Sequence, residues 1–161
     1  MSPIEYQTVE DVDRIDVSEL SNFYSEQGHR TTASAAKMRR MLQNSVCVVT
    51  ARQDGRLIGF ARGVTDGVNG QLAECKLDVR YQGPAAVTRV DGRIEHDQAG
   101  IAFEMASRVV ESLREYGVEL IHVLAYGTEV DFCEALGFKR AGGMVALQMN
   151  TAESAVAVAR V

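Results

Sequence analysis

Two β-rich runs meet at Asp54-Gly55, and this pair constrains the fold more than any other stretch of the chain. Residues 45–51 (SVCVVTA) and 56–62 (RLIGFAR) are rich in β-branched and aromatic residues. Asp-Gly between such runs supplies the positive φ angles of a tight two-residue turn, so it predicts an antiparallel hairpin. Around the hairpin the apolar period changes. Residues 4–9 alternate and read as a first strand. Residues 11–27 carry Val12, Ile15, Leu20, Phe23 and Tyr24 at helical spacing, with Gly28 as a stop. Residues 34–43 read as a second helix that buries Ala36, Met38, Met41 and Leu42. After the hairpin, Thr65-Asp66-Gly67 and Asn69-Gly70 mark turns. Residues 71–81 then form a third strand. Ala73, Cys75, Leu77 and Val79 would share one face, and Glu74, Lys76, Asp78 and Arg80 the other, an alternation that a bulge would break.

Further along, residues 86–90 read as a short strand and Asp91-Gly92 as a turn. Residues 100–116 hold the clearest helical pattern, with Ile101, Met105, Val109, Leu113 and Tyr116 ending at Gly117. Residues 120–125 read as a short apolar strand and 129–136 as a short helix closed by Gly137. Residues 138–149 read as two β-like pieces around Gly142-Gly143. This order predicts an α/β fold with a mixed, mostly antiparallel central sheet flanked by helices. A chain of 161 residues suits one domain, here residues 1–150. The Ala/Val-rich tail, 151–161, reads as a strand, a partner-binding segment or a frayed end.

Hydrophobic residues make up 46% but are evenly spread. No apolar run approaches the roughly 20 residues of a spanning helix, so no membrane partner is expected. The acidic start MSPIEYQTVEDVDRID has no apolar signal core, and the expected location is cytoplasmic. A formal net charge of −5 argues against nucleic acid. It suits a cationic partner such as a polyamine, an amino sugar or a lysine side chain. Three cysteines without a CxxC pair suggest no redox centre, and Cys47 and Cys75 read as buried thiols. Three scattered histidines suggest no metal. His96 beside Asp97 invites a dyad reading, but adjacent side chains point apart. It reads as a solvated loop residue, and His29 and His122 carry no stronger case.

Asp97-Gln98-Ala99-Gly100-Ile101-Ala102 precedes the best helix. The first backbone N–H groups of a helix lack internal partners and face an approaching anion with the positive end of the dipole. Small residues there let a diphosphate come close to the backbone. Gly100 is equally readable as a plain loop residue on this local evidence.

The surroundings favour the first reading, because several segments resemble the GNAT N-acetyltransferase superfamily. Residues 44–67 (NSVCVVTARQDGRLIGFARGVTDG) resemble its central hairpin. Residues 77–83 (LDVRYQG) resemble the end of its central strand. Gly100-Ile101-Ala102 running into Val109-Val110-Glu111-Ser112-Leu113 resembles its cofactor loop and helix. Residues 131–138 (DFCEALGF) resemble its late helix with a Leu-Gly-Phe ending. The likeness spans roughly residues 4–149.

The resemblance implies an N-acetyltransferase that moves an acetyl group from acetyl-CoA to a primary amine by direct attack in a ternary complex. The amine would belong to a small molecule or a peptide. The backbone of Leu77, Asp78 and Val79 would bind the pantetheine arm, and Gln98, Ala99, Gly100, Ile101 and Ala102 the diphosphate. Two departures stand out. Asp97 occupies a position where the family has Gln or Arg, although Gln98 fits after a one-residue shift. Residues 84–96 intervene between the strand end and the loop.

An amine must lose a proton before it attacks a thioester, and the family uses a carboxylate near the central strand. Glu74 is the first candidate and Asp78 the second. Both are alternatively ion pairs with Lys76 or Arg80. A backbone N–H at Leu77 or Val79 would stabilise the oxyanion. The family's tyrosine acid is replaced here by Cys133; Tyr126 or water could deliver that proton instead. Two other readings remain: a degenerate acyl-CoA-binding protein without turnover, and a homodimeric interaction module that uses the tail.

Overall fold

In the computed structural model, which describes residues 2–28, 33–83, 94 and 96–151, the hairpin forms at the expected place. Asp54 has φ 51° and Gly55 φ 78°, the two positive angles that the turn requires. They join β2 (Cys47–Gln53) to β3 (Arg56–Thr65). Strand β1 (Glu5–Thr8) pairs with β2 and β4 (Asn69–Leu77) with β3, all antiparallel. Strand β5 (Leu120–Val123) lies parallel to β4 and completes the order β1-β2-β3-β4-β5. The helices are α1 (Val17–Glu26), α2 (Ala35–Gln43), α3 (Ile101–Tyr116) and α4 (Val130–Ala135). The sheet is therefore mixed and mostly antiparallel, as expected.

Two apolar layers cover its faces. On one, Ile101, Met105, Val109 and Leu113 of α3 pack on Val49, Ala51, Ala61 and Leu77. Gly63 makes this close approach possible, since a Cβ there would lie 2.9 Å from Val109 Cγ1. On the other face, Leu20, Phe23 and Tyr24 of α1 and Met38 and Leu42 of α2 pack on Val48, Leu57 and Phe60. Tyr24 meets Phe60 edge-on, with ring centroids 6.2 Å apart. Ala36 is exposed instead of buried.

Four expectations need correction. Residues 11–27 are not one helix. Asp11 accepts from the Asp13 amide and starts a 3₁₀ turn, Val12–Arg14. Asp16 accepts from the Ser18 and Glu19 amides and starts α1. Two carboxylate caps five residues apart divide the segment. Strand β4 stops at Leu77, where Asp78 caps a 3₁₀ turn, Val79–Tyr81. The pairing steps from Arg62↔Glu74 to Gly63↔Leu72, so Ala73 is an extra, bulged residue. Leu72 and Cys75 consequently share the α3 face. Residues 138–149 form no strand and no ladder with any described strand.

The expected strand at 86–90, the turn at 91–92, His29 and residues 152–161 lie outside the described residues. Among the described residues, no helix is long and apolar enough to cross a membrane.

Candidate active site

Strand β5 pairs with β4 only from Asn69↔Leu120 to Leu72↔Val123. Beyond that point β4 continues to Leu77 while the β5 chain departs. The Ala73 bulge sits where the two part, and a bulge bends its strand. A cleft of about 200 Å³ opens between them, with Glu74 and Cys75 on one wall and Tyr126, Phe132 and Cys133 on the other.

The ladder fixes which backbone groups face this cleft. The Asp78 amide donates to Ile58 O at 2.8 Å. Hydrogen-bonded pairs alternate along an antiparallel ladder, so the Leu77 and Cys75 amides point away from β3, toward the cleft side. Leu77 O accepts from Gln82 Nε2 at 2.9 Å, which fixes the end of the strand. The other two candidate backbone positions differ. The Val79 amide is engaged by Gln27 Oε1 at 3.1 Å. The Asp78 side chain is buried and clasped by Arg80: Nε to Oδ1 at 3.0 Å, Nη2 to Oδ2 at 2.5 Å, and the amide to Oδ1 at 2.9 Å. Burial pushes this carboxyl up, but the Arg80 bonds outweigh it and hold it below the ordinary range. Asp78 is thus a turn cap that does not line the cleft, which removes the second base candidate.

Glu74 lies on the α1/α2 face, directly across from Arg62. Arg62 Nε is 3.6 Å from its Oε2, with both side chains largely buried. The Tyr24 hydroxyl donates to Oε1. Burial first, then the charge of Glu74, pushes the Tyr24 phenol far above its ordinary value, so it stays protonated. Glu74 pairs with Arg62 and not with Arg80, whereas the ion pair expected between Asp78 and Arg80 does form. Residue patterning missed Tyr24 and Arg62 because the cross-strand register depends on the bulge.

At the start of α3, the cradle already holds an anion. Asp97 Oδ1 accepts from the Ala102 amide and Oδ2 from the Phe103 amide, both at 2.9 Å. Gly100 takes φ 72° and its amide returns to Asp97 O at 3.0 Å. Ala102 therefore offers no spare donor in this arrangement. Ile101 and Ala102 are buried against β4, where Cys75 Sγ donates to Ala102 O at 3.6 Å. Ala99 is exposed, and Gln98 places Oε1 2.7 Å from where a Cβ on Gly83 would sit. Asp97 thus occupies the Ala102 and Phe103 amides, the donors that the sequence reading assigns to an outside anion.

Cys133 is buried on the cleft wall. Burial, reinforced by the charge of Glu129, pushes its thiol up to about 11. Tyr126 is exposed at the cleft margin. Sequence reasoning did not single out Glu129. Its Oε1 accepts from the Tyr126 amide and its Oε2 from the Ile94 amide, both at 3.1 Å. Ile94 is buried in the α3-face core. This one carboxylate therefore ties the chain before α3 to the turn before α4. His96 and His122 are exposed. Among the described residues, no three His, Cys, Asp or Glu side chains converge as a metal would require.

A larger cavity of about 610 Å³ lies at the opposite end of the sheet, beside β1 and β2. Its charged lining is partly self-neutralised, because Arg52 Nη2 pairs with Glu19 Oε1 at 2.6 Å.

No family model and no curated protein matches the sequence. Solved structures do match. A candidate acetyltransferase from Deinococcus radiodurans R1 is 24% identical, with a TM-score of 0.61 over 90% of this chain and 88% of that one. A GNAT-family acetyltransferase from Streptococcus pneumoniae TIGR4 is 16% identical, with a TM-score of 0.60 over 93% and 100% of the two chains. The aminoglycoside N-acetyltransferase AAC(6')-Iy, solved in complex with CoA, is 16% identical, with a TM-score of 0.63 over 92% and 96%. At such identities the likeness establishes the fold.

Proposed function

We propose that this chain, which carries the fold of the GNAT N-acetyltransferases, transfers an acetyl group from acetyl-CoA to a primary amine. The observation that carries this reading is the parting of β4 and β5 at the Ala73 bulge, which opens a cleft rimmed by the Glu74 carboxylate beside β4 amides that point away from β3. Acetyl-CoA would supply the activated acyl group, its thioester arm lying along β4. Glu74 takes the proton that a protonated acceptor must lose, while Tyr24 and Arg62 hold its carboxylate in place. The Leu77 N–H stabilises charge that develops on the acyl oxygen. Burial weakens Cys133 as a proton donor to the departing thiolate. Cys133, Tyr126 or water delivers that proton. The net charge of −5 favours a cationic acceptor, a small molecule or a peptide amine.

The Asp97 cap favours a second reading, an acyl-CoA-binding protein without turnover. Isothermal titration with acetyl-CoA, followed by thiol release over an amine panel, separates the two. Binding with amine-dependent release that Glu74→Gln abolishes is the expected result. Binding without release supports the second reading, and no binding defeats both.

A further inference from the structure

The larger cavity, beside β1 and β2, shares no lining residue with the cleft. Its volume of about 610 Å³ falls within the roughly 300–1,000 Å³ of small-molecule sites. The floor is apolar. Leu20, Leu57 and Phe60 are buried there, with Val9 and Ile15 half-buried beside them. The rim is acidic: Glu10, Asp11, Asp16 and Glu19 stand against Arg14 and Arg52. Both guanidinium groups are already engaged. Arg52 closes as a fork on Glu19, Nη1 to Oε2 at 2.9 Å and Nη2 to Oε1 at 2.6 Å. Arg14 Nε lies 3.6 Å from Asp11 Oδ2. Glu10 and Asp16 are the excess negative charge. Asp16 uses only Oδ1 to cap α1.

A buried hydroxyl points into the same space. Thr50 stands across the ladder from Phe60, so its side chain shares the Phe60 face and lines the cavity. It is only 5% exposed. Among the described residues, no group hydrogen-bonds to that hydroxyl. A buried hydroxyl without a partner destabilises a fold. Valine has nearly the same shape and suits a strand equally well, yet carries no such penalty. The hydroxyl therefore has a use only when something in the cavity bonds to it.

We propose that this cavity binds a small organic cation with an aliphatic body. Its ammonium group sits at the rim by Glu10 and Asp16, and its hydrocarbon body covers Leu20, Leu57 and Phe60. A hydroxyl at its far end bonds Thr50 Oγ1. An anion would meet two uncompensated carboxylates, and a plain hydrocarbon would leave Thr50 unpaired. The site stands independently of the acyl-transfer reading, whose chemistry lies in the cleft at the other end of the sheet.

Nuclear magnetic resonance of the full chain during titration with 5-aminopentan-1-ol tests this. The amides of Val9, Glu10, Thr50 and Leu57 should shift in a saturable way. Hexylamine, which has a methyl group in place of the hydroxyl, and 5-hydroxypentanoate, which reverses the charge, serve as controls. Thr50→Val should move the ratio of the two amine dissociation constants about three- to tenfold toward hexylamine. Glu10→Gln with Asp16→Asn should weaken both amines roughly two- to fivefold. Asn caps a helix as well as Asp, so α1 should survive that change. The carboxylate should not bind. Shifts confined to the cleft residues Glu74 and Cys133, or no shifts, overturn the proposal. So does an amine ratio that Thr50→Val leaves unchanged, an affinity that the double variant leaves unchanged, or equal binding of 5-hydroxypentanoate.

Discussion

The β2–β3 hairpin and the β4–β5 margin belong to one sheet yet are built in opposite ways. In the hairpin nearly every residue has a ladder partner, and both faces are covered by helices. At the margin the ladder stops after four pairs, no described strand lies beyond β5, and large apolar side chains face solvent. The first region stores stability. The second leaves backbone donors and apolar surface without a described partner, and such groups are available for binding.

The sharpest test of this contrast is to change each region at its centre. Glu74→Gln at the margin should lower turnover by about 10²–10⁴-fold in an active preparation, read by thiol release per folded molecule. Phe60→Ala in the hairpin should cost about 3–5 kcal/mol in urea unfolding. Leu124→Ala, measured on dilute protein, should stay within about 0.5 kcal/mol. Equal costs for Phe60→Ala and Leu124→Ala would erase the distinction.

The start of α3 lies between these extremes. Asp97→Ala removes two cap bonds and should cost about 0.5–2 kcal/mol. The same change vacates the anion cradle, so acetyl-CoA should bind more tightly by titration calorimetry. Weaker binding would show that Asp97 assists the ligand instead of competing with it.

Two titrations give smaller effects. The Asp78 carboxyl is held below its ordinary value, so the folded state binds fewer protons than the unfolded state near acid pH. Its contribution is present above the unfolded value of about 3.9 and is lost as pH falls through the folded one. Asp78→Asn should therefore flatten the acid limb of stability measured by urea midpoints. Cys133 has the opposite sign. Its raised thiol favours the folded state below about 8.5, and that contribution fades as pH climbs toward 11. Iodoacetamide labelling of Cys133 at pH 9, located by mass spectrometry, should be at least about tenfold slower in native than in unfolded chain.

What the sequence made legible follows the range of the forces involved. Asp54-Gly55 and the pattern from Ile101 to Tyr116 are local, and both elements form where the residues place them. The caps at Asp11 and Asp16 are also local, and attention to side-chain capping would have split that segment correctly. Asp97 belongs to the same class, since a carboxylate just before a helix is a natural cap. The partners of Glu74 are another matter. Arg62 and Tyr24 reach it only because Ala73 is bulged, and no residue type announces a bulge. Residues 144–149 do have strand periodicity, but a strand forms only against a neighbour, and this chain supplies none among its described residues.

The bulge at Ala73 has a consequence for how such a protein could be altered. Removing that one residue would bring Glu74 and Leu72 into unbroken register with Arg62 and Gly63, every side chain keeping its face. The straightened strand could then pair with β5 beyond Leu72 and zip the cleft shut. A single in-frame codon would separate an open cleft from a tighter, closed sheet, so variants selected only for heat resistance should be screened for that deletion.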